Sequence, residues 1–270
     1  MDEDNQITVT VTGQEHKTQE GITVTVKGDL GQKETGETDE NGSLTVPEVV
    51  ELETHGAYVV GYPDGTFGPD RSMARSEAAA VFARLLAQHN GERITAPVTP
   101  TFPDVSADAW YAGYVSYLAR YGIAVGYTDG LFHGEAPITR AEFTAMAVRF
   151  FDFYGDGDPA IMEDYGGFWD VSPGHWAAGY IEDAARYGWV VGSGNGTFRA
   201  DDEISRAEVV TMVNRLLGRE ADQAYIADAP RGLIRFPDVY RTHWAYHDIL
   251  EAANHHQADV SAEPEVWQET

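Results

Sequence analysis

One pattern returns three times along this chain and limits what it can fold into. Phe102-Pro103-Asp104-Val105 with Trp110 recurs as Phe168-Trp169-Asp170-Val171 with Trp176, and again as Phe236-Pro237-Asp238-Val239 with Trp244, about 66 residues apart. A fixed period of this length means stacked supersecondary units, each unable to bury its apolar face alone. A helix-like apolar run and a Gly-rich turn follow in each unit. The turns are Gly61-Tyr62-Pro63-Asp64-Gly65, Gly126-Tyr127-Thr128-Asp129-Gly130 and Gly192-Ser193-Gly194-Asn195-Gly196.

A second helix then opens at Met73-Ala74-Arg75-Ser76-Glu77, Ile138-Thr139-Arg140-Ala141-Glu142 and Ile204-Ser205-Arg206-Ala207-Glu208. Thr139 with Glu142 and Ser205 with Glu208 form capping boxes, in which each side chain satisfies a helix-end amide. Ala74 keeps the Glu77 half of the box and lacks the other, a local loss of about 1 kcal/mol. Ser72 or Ser76 could replace it by shifting the helix start. Behind each cap, Val81, Phe82, Leu85 and Leu86, then Phe143, Met146, Ala147 and Phe150, then Val209, Met212, Val213 and Leu216 recur at helical spacing as core faces.

The ends of the chain are out of phase. The unit around Gly61 lacks its own Phe-x-Asp-Val helix, whereas the last unit has only that helix, from Trp244 to Asn254. Ring closure would let the last helix complete the first unit. The expected architecture is mainly α, pseudo-threefold, over residues 51–256, with units near 56–100, 101–166 and 167–235 and with 236–256 completing the first. Residues 1–50 form a separate β-rich segment: Ile7 to Thr12, Ile22 to Val26 and Leu44 to Val46 alternate in period two, with turn residues at Gly28 to Gly31 and Asp39 to Gly42. This segment resembles part of the immunoglobulin-like B repeats of collagen-binding adhesins. Residues 257–270 read as a disordered tail.

Taken together, Phe-x-Asp-Val…Trp, Gly-Tyr-x-Asp-Gly and Thr-Arg-Ala-Glu in series resemble the S-layer homology (SLH) family, from about Gly56 to His256. The resemblance implies non-covalent, non-catalytic binding of a secondary cell wall polysaccharide on a bacterial surface of the Gram-positive type. It further implies a polymer whose N-acetylmannosamine carries a pyruvate ketal. A ketal carboxylate suits an arginine in the first turn of a helix, where a cation, free amides and the positive dipole end coincide. Arg75, Arg140 and Arg206 are therefore the expected ligand residues, with the Arg140 groove first because unit two alone has the complete pattern. The alternative is that each pairs with a nearby carboxylate, such as the Asp of Phe-x-Asp-Val.

Asp104, Asp170 and Asp238 are candidates to accept sugar hydroxyls or to hold the arginines, and Trp110, Trp176 and Trp244 to stack on a sugar ring, with core packing as the rival. Gly61, Tyr62, Gly126 and Tyr127 bring the turns towards a ligand, although a turn at positive φ selects glycine by itself.

Composition narrows the partners. With a net charge of −26 and no basic run, nucleic acid and anionic membrane surfaces are excluded as partners. No stretch is apolar for long enough to span a bilayer, and the start lacks a leader's basic and apolar regions, so an exported form is expected to have had its leader removed. Zero cysteines removes disulfides, thiol nucleophiles and thiolate metal sites. No cofactor or metal is expected.

Three other readings remain: a lattice-forming surface module with lateral protein contacts, a wall-glycan hydrolase using a carboxylate pair, and a calcium module around Asp156-Gly157-Asp158. Glu142 and its equivalents sit at caps, which accounts for them without catalysis. The Asp-Gly segments lack the ligand spacing of an EF-hand loop.

Overall fold

The computed structural model describes, before residue 52, the backbone of the strands alone. From residue 52 onward it describes all but 96–98, 156–160, 162–165, 229–231, 261, 263 and 269–270. The Asp156-Gly157-Asp158 segment and the hairpin turns at Gly28 to Gly31 and Asp39 to Gly42 lie outside the described residues. The chain divides into two compact units, residues 1–54 with 257–270, and His55–His256.

In the first unit, β1 (Ile7–Thr10) pairs antiparallel with β4 (Ser43–Val46), and β2 (Thr23–Lys27) with β3 (Lys33–Glu37). The sequence reading missed β3 because Lys33-Glu34-Thr35-Gly36-Glu37 has no apolar alternation. Its Glu34 and Gly36 simply face Val26 and Val24 across the ladder. A three-stranded sheet has the order β5 (Leu52–His55), β6 (His256–Asp259), β7 (Val266–Gln268). Here the expectation of a disordered tail is corrected. Ala258 pairs with Trp267 and both are buried, so the tail is ordered by cross-strand pairing that a run of so few apolar residues does not announce.

The second unit is helical: α1 (Arg75–His89), α2 (Ala112–Arg120), α3 (Arg140–Tyr154), α4 (Ala178–Arg186), α5 (Arg206–Leu217), the short α6 (Gln223–Ala227) and α7 (Tyr246–Ala253). α1 packs on α2 and α3 on α4, the short helix next in sequence, whereas α5 packs on α7, with the five-residue α6 between them in the chain. The Phe82 ring lies about 5 Å, centroid to centroid, from both Phe143 and Phe150, and all three are fully buried.

The three caps form a closed triangle of backbone hydrogen bonds. The Met73 amide donates to Ile204 O (3.0 Å), the Ile204 amide to Ile138 O (3.1 Å) and the Ile138 amide to Met73 O (2.9 Å). A cyclic arrangement is the only way three short extended segments can each donate once and accept once. The first long helix begins at Arg75, in register with Arg140 and Arg206, despite its missing cap oxygen. Ser72 Oγ instead bonds Glu203, and only Glu77 reaches back, to the Ala74 amide at 2.9 Å. The full boxes at Thr139 and Ser205 have both bonds.

Phe236, Asp238 and α7 stand to the first Gly-rich loop as Phe102 and Asp104 stand to the second. Phe236 packs on Phe67 with centroids 5.2 Å apart, matching Phe102 with Phe132 and Phe168 with Phe198. The Tyr58 amide donates to Ala252 O and its hydroxyl to Asn214, tying the start of the unit to its last two long elements.

Three grooves and their arginines

Each groove joins the start of one long helix to the Gly-rich loop of the next repeat, not of its own. Arg75 Nε donates to Phe132 O (2.9 Å) and Nη2 to Val125 O (3.1 Å), and its guanidinium lies over the Tyr127 ring. Arg140 reaches Phe198 O (2.8 Å). Arg206 closes the cycle on Phe67 O (2.8 Å) and Val60 O (2.9 Å), over Tyr62. Each also pairs with the capping glutamate of that next repeat: Arg75 with Glu142 (3.5 Å), Arg140 with Glu208 and Arg206 with Glu77 (3.1 Å).

This changes the expected anion site in two ways. For Arg75 and Arg206, the fork that was to hold a carboxylate is spent on two backbone carbonyls, and both residues are only 5% exposed. The first-turn amides are also occupied: those of Arg75, Arg140 and Arg206 donate to Ala136, Asp202 and Arg71 carbonyls, and those of Ser76, Ala141 and Ala207 to Gly134, Ala200 and Pro69. The helix starts are therefore joints between repeats. Their carboxylate partner is a capping glutamate, not the Asp of Phe-x-Asp-Val.

That aspartate has other work. Asp104 accepts the Phe132 and His133 amides (2.9 and 2.7 Å), Asp170 those of Phe198 and Arg199 (both 2.8 Å), and Asp238 those of Phe67 and Gly68 (2.8 and 2.7 Å). Each carboxylate oxygen accepts one of these amides, so the aspartates hold the loops, and none of them takes an arginine among the described hydrogen bonds. The second donor always has positive φ: 55° at His133, 59° at Arg199 and 68° at Gly68. Two non-glycine residues are thus held in the left-handed region by a charge-assisted bond. Burial pushes Asp104 and Asp170 upwards, but the two amides outweigh it and hold both carboxyls below their ordinary value.

Gly61, Gly126 and Gly192 are required by close approach. A Cβ would stand 2.5, 2.8 and 2.5 Å from the rings of Phe236, Phe102 and Phe168, and none of the three has positive φ. The turn glycines that do are Gly65, Gly130, Gly194 and Gly196. Tyr127 donates to Glu142 (2.5 Å), and burial together with that bond pushes its phenol up to about 12. Tyr62 donates likewise to Glu77 (3.2 Å).

The tryptophans face outwards, at 56, 57 and 61% exposure for Trp110, Trp176 and Trp244, and each lines one groove. Core packing is not their role. The Arg206 groove, with Tyr62, Arg84 and Trp110, has a volume of about 590 Å³. The Arg75 groove, with Tyr127, Arg149 and Trp176, has about 370 Å³. The Arg140 groove, with Ser193, Arg215 and Trp244, has about 230 Å³.

Sequence reasoning missed Arg84, Arg149 and Arg215. Each lies two helical turns beyond the capping glutamate on the same helix face, a periodicity that was there to be read. Arg215 is exposed, Arg149 Nε bonds the Tyr180 hydroxyl (3.2 Å), and Arg84 bonds Tyr58 O (3.3 Å). Every groove carries one more arginine than glutamate: Arg71, Arg84 and Arg206 against Glu77 and Glu135, Arg75 and Arg149 against Glu142, Arg140 and Arg215 against Glu208. In a chain of net charge −26 these are local cationic clefts.

A ring of helical repeats with aromatic, arginine-lined clefts between them defines a repeat-built binding module. The S-layer homology domain family matches residues 45–79, 101–144 and 167–210. The chain carries three tandem S-layer homology repeats, which makes it a module of the bacterial cell surface. Over 215 residues it is 34% identical to Cell surface glycoprotein 1 of Acetivibrio thermocellus, covering 78% of this chain and 9% of that protein. It is 31% identical over 230 residues to the Cellulosome-anchoring protein of the same organism, covering 83% and 48%. To the S-layer protein of Bacillus licheniformis it is 28% identical over 155 residues, covering 57% and 17%. The chain thus spans less than half the length of these relatives. No described helix is long and apolar enough to cross a membrane.

Proposed function

We propose that this module anchors its protein to the cell surface by seating an acidic sugar of a secondary wall polysaccharide, of the pyruvylated N-acetylmannosamine type, in the clefts between repeats. The observation that carries this reading is the pairing, in each cleft, of an outward-facing tryptophan with an arginine on the facing helix. The indole supplies a ring face for a sugar, and the outer arginine a cation for its carboxylate. The inner arginines act by shaping the cleft and adding positive potential.

The preference for the Arg140 cleft does not carry over, because Arg140 meets the loop that lacks Tyr and Asp. The Arg206 and Arg75 clefts combine an inner arginine, a loop tyrosine, an outer arginine and a tryptophan, and they are the larger two. The Arg206 cleft lies within the volume usual for small-ligand sites.

The test is sedimentation of the chain with wall sacculi that carry or lack the secondary polymer. Wild type is expected to sediment only with polymer, and Trp110→Ala with Arg84→Ala, or Trp176→Ala with Arg149→Ala, to weaken binding with helicity unchanged. Arg75→Ala and Arg206→Ala are poor probes, since they remove bonds that hold the repeats together. Binding to polymer-free sacculi, or none at all, would refute the reading and favour lateral assembly.

A further inference from the structure

Outside the clefts, His55, Glu251 and His256 form a buried cluster at the seam of the helical ring. His55 ends β5, Glu251 lies in the last turn of α7 and His256 opens β6. Their side chains are 3, 0 and 5% exposed. His55 Nδ1 stands 3.2 Å from one Glu251 oxygen and His256 Nε2 stands 3.2 Å from the other, with the two imidazoles nearly perpendicular. One donor atom from each of the three side chains lies within 4.8 Å of the other two.

The tautomer of His256 is decisive. Its Nδ1 lies 3.1 Å from Asn254 O, a pure acceptor, so Nδ1 must carry the hydrogen. In a neutral ring this turns the Nε2 lone pair towards a carboxylate oxygen, and two lone pairs do not attract. Either a proton on Nε2, which makes an imidazolium–carboxylate ion pair, or a metal cation lies between them. A backbone carbonyl fixing Nδ1–H is also the usual support for a histidine that binds metal through Nε2.

We infer that His55, Glu251 and His256 bind a single divalent transition-metal ion, of the zinc class, which locks the first and last residues of the ring together. Two imidazoles and a carboxylate match zinc, nickel or copper, whereas calcium and magnesium take oxygen ligands. A tetrahedral ion with bonds of about 2.1 Å spaces its ligands about 3.4 Å apart, against 3.2 Å from each imidazole to its own Glu251 oxygen and at most 4.8 Å across the set. This site is independent of the polysaccharide reading.

The test uses the full chain, stripped with a chelator and titrated with zinc alone against a chromophoric competitor. One zinc per chain is expected, with the melting temperature raised by about 5 °C or more at a hundredfold excess over Kd. His55→Asn and His256→Asn should each weaken binding by about a hundredfold or more, and His133→Asn, at an exposed His–Asp pair, should leave it unchanged. No stoichiometric zinc, or zinc lost with His133→Asn and kept with His256→Asn, would overturn the inference. Should the seam variants fail to fold, zinc-edge X-ray absorption of the wild type decides: two imidazoles and a carboxylate support the site, and any other ligand set refutes it.

Discussion

Asp238→Asn tests the closure of the ring at a single atom pair. In the wild type the carboxylate accepts the Phe67 and Gly68 amides at 2.8 and 2.7 Å across 171 and 170 residues of sequence. Asparagine keeps one acceptor oxygen, loses the other and turns an NH₂ towards an amide N–H. Phe67 is fully buried and Gly68 half-buried, so whichever amide loses its oxygen is left facing an NH₂ in a partly or wholly covered site. A hydrogen bond to a charged group contributes about 1.5–3 kcal/mol, and an orphaned buried amide costs a similar amount. The expected loss is about 2–3 kcal/mol, a substantial part of the ~5–15 kcal/mol available to a folded domain. For about 200 residues this lowers the melting temperature by about 4–12 °C, read by circular dichroism. Asp104→Asn and Asp170→Asn remove the same bonds within their own repeats and should match it closely. If those two variants fall and Asp238→Asn melts within about 1 °C of wild type, the last segment does not hold the first loop and the ring is open.

Truncation after Gly232 removes α7, whose Ile249, Leu250, Ala252 and Ala253 are buried, and should abolish cooperative unfolding of the remainder in a urea titration. Asp104 and Asp170 have folded pKa values below the unfolded ones, so the unfolded chain takes up protons first as pH falls. Their contribution is present above about pH 4 and lost below it, and Asp104→Asn should flatten the decline in melting temperature between about pH 5 and 3. Gly192→Ala puts a methyl 2.5 Å from both Thr197 O and the Phe168 ring, and overpacking there should cost about 1–3 kcal/mol in denaturant unfolding. Ala74→Thr should complete the capping box and stabilise by about 1 kcal/mol, seen as a shift in the urea midpoint.

The sequence by itself determined the repeat, the helices behind each cap, the capping boxes and the tryptophans, because these rest on local rules. A period of about 66 residues, an i, i+3, i+4 apolar face and a Thr-x-x-Glu box can all be read within one unit. It also held Arg84, Arg149 and Arg215 at helical spacing behind the more conspicuous Arg-Ala-Glu. Only the tertiary structure decided which residues meet. Arg75 binds carbonyls 50 and 57 positions away, in the loop of the next repeat, and Arg206 binds the loop of the first. Each Phe-x-Asp-Val aspartate turns to the backbone amides of a loop and not to an arginine. These partners were hidden for a physical reason: a guanidinium or carboxylate takes whichever buried partner lies nearest once the repeats close, and the rotation that closes three units into a ring is set by packing between them, not by any residue's neighbours in sequence.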